Sequence, residues 1–284
     1  MTRIFLIFSL GLFAQGCNLV VAGDEVQCAS DADCATRGFQ NAACVEQVCV
    51  SADGPQTVWG CLDNLVTETP DPTNTVSFDI DLVYAVGGAV SMSTVIDVCD
   101  KLDPGCTGSG LPKGLNPNGN GTVRVEVPEG FDGFVKIEGP DLVDSRVYVG
   151  RPLFGPPSVE EIQLFAPVEF SALANSEGID PDPTRGTAIV LGIDCRGDGA
   201  AGLRFDATNT DDDTTAFYLV NQQPVTPPSV TSTDGDGFGG YFNMPVGAAV
   251  VQAIRAEDDR YIGESSFQIL AETISYVLVS PTPQ

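Results

Sequence analysis

Residues 231–254, TSTDGDGFGGYFNMPVGAAVVQAI, decide how the rest of the chain is read. The run Asp234-Gly235-Asp236-Gly237 is either the start of a calcium loop or a tight turn. A calcium loop of the helix–loop–helix type needs oxygen ligands at its fifth position and a glutamate at its twelfth. Counted from Asp234, those positions hold Phe238 and Pro245, so that loop is excluded. Asp-Gly, in contrast, supplies the positive φ that a turn between strands demands. The residues after the turn fit strands: Phe242 and Met244, then Val250, Gln252 and Ile254, recur with a period of two. The stretch therefore reads as a hairpin turn feeding strands. One metal reading stays beside it, in which Asp234 and Asp236 join Asp211 and Asp213 as hard oxygen ligands for calcium.

The same alternation recurs upstream. In TVSFDIDLVYA, Val76, Phe78, Ile80 and Leu82 share one face and Ser77, Asp79 and Asp81 the other. GTVRVEVPEG places Val123, Val125 and Val127 inward in the same way. With GFVKIEGP, SRVYVGRPL and EIQLFAP they make a series of short strands broken by Gly and Pro, the spacing of an antiparallel sandwich. A second series runs from GTAIVLGIDC to SYVLVSP. Gly60-Cys61-Leu62-Asp63 and Gly192-Ile193-Asp194-Cys195 read as corresponding first strands of the two series. Between the series, Val168, Phe170, Leu173 and Ala174 recur at helical spacing, which predicts a helix from about residue 167 to 177.

Composition narrows the function. The 284 residues hold 13 basic and 39 acidic side chains and no histidine, a net charge of -26. Such a chain repels polyanions, which argues against nucleic acid or an anionic membrane surface as partner. Without histidine, Ser-His-Asp, Cys-His and HExxH sites are impossible. No G-x-S-x-G elbow, P-loop or dinucleotide fingerprint is present. So many carboxylates offer so many pairs that none stands out as a glycosidase dyad. The expectation is no enzyme and no catalytic residue, with an unrecognised hydrolase ranked third among the functions weighed.

Residues 1–16 have the form of a signal peptide: Arg3, the ten-residue apolar run IFLIFSLGLF, then Ala14-Gln15-Gly16. That run is too short to span a bilayer as a helix. Cys17 follows, and a small residue followed at once by cysteine resembles the lipobox of bacterial lipoproteins. The resemblance implies acylation at Cys17, a lipidated leader over 17–27 and membrane attachment through that lipid. Asn18 stands where retention in the inner membrane uses aspartate, which by the same resemblance favours the outer membrane or cell surface. Removing Cys17 from the nine cysteines leaves an even eight, which suits disulfides in an oxidising compartment.

Residues 28–50 have the spacing C-x5-C-x9-C-x4-C and too little apolar area for a core, so they need disulfide staples. They resemble a short cysteine-rich module found near the N-terminus of bacterial lipoproteins. Four cysteines allow three connectivities. The interlaced Cys28–Cys44 with Cys34–Cys49 is the one taken here. Zinc is the alternative, but no C-x2-C knuckle is present.

GIDCRGDGAAGLRFDA, residues 192–207, followed by the 231–254 stretch, resembles the carboxypeptidase regulatory-like domain, a transthyretin-like sandwich. The match covers about residues 187–279. VYAVGGAVSMSTVIDVCDKLDPGC and GNGTVRVEVPEGFDGFVKIEGPDL look like a divergent first copy, in which Asn116-Pro-Asn-Gly-Asn-Gly121 replaces the Asp-Gly turn. The expected organisation is all-β: two tandem transthyretin-like or Ig-like sandwiches at 56–157 and 187–284, joined by a helical linker at 158–186. Cys99 and Cys106, close in sequence, are expected to bridge a local loop. Cys61 and Cys195 then pair across the two copies, with other pairings, Cys61–Cys99 among them, left open. The family implies a noncatalytic binding or structural module of the cell envelope. The alternative is a calcium-dependent adhesin whose partner is a surface protein or glycan.

Overall fold

The computed structural model describes Ser30, Asp33 and residues 42–45, 48–51, 58–157 and 161–283. The chain divides into two compact units, Met1–Thr57 and Val58–Gln284. In the first, β1 (Ala42–Val45) and β2 (Val48–Ser51) pair antiparallel with Cys44 opposite Cys49. Cys44 is disulfide-bonded. The signal peptide, Cys17, the leader and the side chains of Cys28, Cys34 and Cys49 lie outside the described residues.

The second unit holds β3 (Thr75–Tyr84), β4 (Val95–Asp100), β5 (Thr122–Pro128), β6 (Gly133–Glu138), β7 (Asp144–Tyr148), β8 (Glu161–Leu164), α1 (Pro167–Asn175), β9 (Gly186–Gly192), β10 (Leu203–Ala207), β11 (Thr215–Val220), β12 (Gln223–Val225), β13 (Phe238–Met244), β14 (Gly247–Arg255), β15 (Arg260–Ile269) and β16 (Thr273–Val279). The unit is all-β apart from α1, among the described residues. A central eight-stranded sheet has the order β12-β11-β13-β9-β16-β7-β6-β4. Two three-stranded sheets, β5-β3-β8 and β10-β14-β15, complete the unit.

Side-chain alternation explains the layering, because successive residues of a strand face opposite sides. On β16, Val277 and Val279 join a cluster with Leu203, Val251 and Ile262 of the β10-β14-β15 sheet. Leu278, between them, joins Val76, Phe78 and Val125 of the β5-β3-β8 sheet. Phe134 and Val135 on β6, and Val147 and Tyr148 on β7, divide in the same way. The central sheet is thus buried on both faces, and each face packs on a different outer sheet. Helix α1 covers the remaining stretch, where Phe170 and Ala174 pack on Ile189, Phe217 and Ile274.

The last strand makes the two halves continuous. β16 pairs parallel with β7 on one side and with β9 on the other. Tyr276 lies beside Val147 and Ile189.

The inward positions expected for the first series are buried, from Phe78 at 7% exposure to Leu82 at 0%. Two expectations need correction. Val168 is 76% exposed and does not share the buried face of α1. It stands in the first turn, beside Pro167, on the side away from Phe170 and Ala174. Residues 60–63 form turns and not a strand. There Leu62 N and Asn64 N donate to the carbonyls of Trp59 and Cys61, and the first strand of the unit is β3.

The edges of the outer sheets carry a recurrent device. Tyr148 of the central sheet donates its hydroxyl to Gln268 O on β15 at 3.2 Å and accepts from Gln268 N at 3.2 Å. Tyr241 donates to Phe205 O on β10 at 2.7 Å, and Tyr218 accepts from Phe205 N at 3.4 Å. Tyr276 donates to Gln163 O on β8. Burial pushes the hydroxyls of Tyr241 and Tyr276 well above the ordinary tyrosine range. These hydroxyls satisfy main-chain groups that a neighbouring strand would otherwise take.

Candidate functional site

The acidic residues marked for calcium fall into two separate arrangements. Asp211 and Asp213 lie in the turn before β11, where Arg185 reaches them from the loop before β9. Its Nη1 and Nη2 each donate to Asp211 at 2.8 Å, and Nη2 donates to Asp213 at 3.1 Å. Nη1 also donates to Asn243 O at 2.8 Å, and Asp182 stands 3.7 Å away. The bidentate fork holds the Asp211 carboxyl down at about 2. A guanidinium therefore occupies the space between these carboxylates.

Asp234 and Asp236 shape a turn. Gly237 N donates to Asp234 O at 3.1 Å, and Asp236 N donates to the Asp234 side chain at 3.0 Å. Gly237 takes φ +76°, and a Cβ there would strike Gly192 O and Ala200 N. A Cβ on Gly199 would likewise strike Asp236 O, so two glycine-rich turns meet backbone to backbone. The hairpin reading needs correction. The chain reaches this turn from β12 through residues 226–233, which form no strand, and β12 pairs with β11. After the turn, the inward residues of β14 are the small Ala249, Val251 and Ala253, with Val250, Gln252 and Ile254 half-buried on the other face. Among the described residues, no three His, Cys, Asp or Glu side chains group so as to hold a metal.

Beside Arg185 a cleft of about 400 Å³ opens where the parallel strands β7, β16 and β9 begin. Asp144, Thr273, Thr187, Phe170 and Pro183 line it. Burial, and next Glu138, push the Asp144 carboxyl above its ordinary range. Asp182 and Glu272 also line the cleft. Because Arg185 is neutralised by Asp211 and Asp213, the local field is negative and disfavours an anionic ligand.

Of the cysteines, Cys61 is bonded to Cys195 with Cα atoms 5.6 Å apart, and Cys99 to Cys106 with Cα atoms 5.1 Å apart. Cys195 N also donates to Val58 O at 2.9 Å, so residues 58–61 are fastened beside β9. Beside the bridge, the carboxylate of Asp194 is 3% exposed and accepts from Arg196 N at 2.7 Å and Nη2 at 3.0 Å.

Sequence reading passed over Arg185, Arg146 and the tyrosines. Arg146 is 5% exposed, donates to Pro104 O at 2.8 Å and lies 4.8 Å from the Phe134 ring centroid. An arginine in an acidic chain is a signal for a clamp, but the Asp211 and Asp213 partners of Arg185 lie 26 and 28 residues away.

No family model matches the chain, and no curated protein matches it. Among solved structures it is similar to the TIE protein of Bacillus anthracis at 12% identity, covering 73% of this chain and 34% of that one, with a TM-score of 0.22. The chain thus spans about a third of that protein. The shaft pilin spaA of Lactobacillus rhamnosus GG matches at 9% identity over 74% of this chain and 99% of that one, TM-score 0.23. The major pilin subunit BcpA of Bacillus cereus matches at 11% identity over 73% and 69%, TM-score 0.24. TM-scores this low assign neither a shared fold nor a function.

Proposed function

We propose that this protein is a noncatalytic structural module of the cell envelope, held at the outer membrane or cell surface by lipid on Cys17. The reading includes the lipoprotein form of the N-terminus and the carboxypeptidase regulatory-like layout of residues 187–279. The observation that carries it is the way reactive side chains serve the fold. Arg185 bridges Asp211 and Asp213, the tyrosine hydroxyls cap main-chain groups, and Cys61–Cys195 ties the start of the unit to β9. The same arrangement weighs against calcium, since two of its four expected ligands already hold a cationic partner. Among the described residues no helix is long and apolar enough to cross a membrane, so attachment in this reading rests on Cys17.

Fractionation of cells carrying the full chain tests the anchor. The native chain is expected with the membranes and Cys17→Ser in the soluble fraction. A Cys17→Ser chain that stays with the membranes contradicts it.

A further inference from the structure

Three of the four outer-sheet edges, β8, β10 and β15, are capped by tyrosines of the central sheet. The edges of the central sheet are closed in other ways. Ile96 and Val98 of β4 donate to Leu115 O and Pro112 O, at 2.8 Å and 2.9 Å. β12 is three residues long, with Pro224 at its centre. The fourth outer edge, β5, has no such cover.

Register identifies the free groups. Leu82 N donates to Gly121 O at 3.1 Å and Glu129 N to Asn74 O at 3.0 Å, on either side of the pairs Ile80↔Val123, Phe78↔Val125 and Val76↔Val127. In an antiparallel ladder every second residue bonds the same neighbour, so the odd-numbered residues of β5 bond to β3. The even-numbered residues turn their main chain away. Among these, Thr122 O accepts from Asn118 N at 2.9 Å, and Pro128 has no N–H and accepts from Phe131 N at 3.1 Å. What remains is the N–H and C=O of Arg124 and of Glu126, with no partner among the described residues. Their side chains are 60% and 61% exposed, while Val123, Val125 and Val127 fill the core beneath.

We propose that this edge docks the same edge of a second copy of the chain, antiparallel about a two-fold axis at Val125. The axis sets Arg124 opposite Glu126 of the other copy, and Glu126 opposite its Arg124. Both are outward-bonding residues, so the four free groups on each copy close four hydrogen bonds between copies. Each Arg124, already 3.6 Å from Asp79 and 3.4 Å from Glu126 of its own copy, gains a third carboxylate across the axis. A two-fold axis at residue 124 would oppose Arg to Arg, and one at residue 126 Glu to Glu. Val125 is thus the antiparallel centre that matches both charge and hydrogen bonding, which is the self-complementarity an isologous contact requires. The edge is short and each copy carries a net charge of -26, so the dimer is weak and reversible.

Sedimentation equilibrium of the full chain from about 10 µM to about 1 mM tests this, a span suited to a weak contact. The native chain is expected to pass from monomer to dimer. Arg124→Glu alone and Glu126→Arg alone each oppose like charges twice, and each is expected to weaken association about tenfold or more. Mixing those two variants restores unlike pairs and is expected to restore dimers. Register is read separately by cysteine cross-linking. A mixture of Arg124→Cys and Glu126→Cys places its thiols on directly opposed residues, about 5.5 Å apart at Cα, and is expected to cross-link. Either variant alone is not. Both positions are exposed, so a thermal melt verifies that each variant keeps its fold. A native chain that stays monomeric throughout overturns the proposal. So does a dimer indifferent to both reversals, or equal cross-linking in the single and mixed samples.

Discussion

The Arg185 guanidinium bridges two carboxylates at the 211–213 turn, the place a divalent cation takes in other acidic loops, and offsets one of their two charges. Unlike an ion, it is covalently part of the chain, so the turn before β11 is fastened to the loop before β9 whatever the solution holds. The consequence for pH comes from the depressed Asp211 carboxyl, at about 2. A carboxyl lowered on folding stabilises the fold above the ordinary carboxylate range. That contribution is lost as pH falls from there through about 2. In Arg185→Gln, Asp211 is expected to titrate clearly higher than in the native chain, though still below the ordinary carboxylate range because Thr214 Oγ1 and Asp213 N still donate to it, read from its carboxyl carbon by NMR. An Asp211 that still titrates near 2 in that variant would show that Arg185 is not the cause. Asp144 has the opposite sign. Burial raises its pKa, so its contribution is present at acid pH and is lost as pH rises through the raised value.

Edge strands are where these elements are most exposed to error, and here the central sheet protects them with hydroxyls. Tyr241→Phe is expected to cost about 1–3 kcal/mol, because Phe205 O loses its donor in a buried place. Tyr148→Phe leaves Gln268 N without its acceptor, while Gln268 O keeps the Ser275 hydroxyl at 3.2 Å, and is expected to cost about 1–3 kcal/mol. Denaturant unfolding measures both, and unchanged midpoints would mean the caps contribute nothing. Such caps were not legible in the sequence, since Tyr148 and Gln268 stand 120 residues apart. What was legible was local. The period-two valines of β5 and the alternation of β3 identify strands because each carries its own pattern of burial. Val168 misled because apolar spacing over one turn does not say which side the sheet lies on. The Asp234–Gly237 turn was visible, but its contact with Gly199 was not, because close backbone approach leaves no mark other than glycine itself.

For the whole second unit, the two β series were recoverable from the order of strands, but their fusion was not. A parallel neighbour can be any distance away along the chain. β16, the last strand, inserts between β7 and β9 and makes one sheet of two halves. Cys61–Cys195 reinforces the join over a separation of 134 residues. The shared sheet implies that neither half unfolds alone, because opening either one strips a face or an edge from β16. Native-state hydrogen exchange of the full chain across a denaturant series tests this most directly. Amides of β6 and β7 and amides of β9 and β13 should reach one common opening free energy with one denaturant slope. If β6 and β7 open at distinctly lower free energy while β9 and β13 stay protected, the halves are separate domains and the shared sheet does not hold them together.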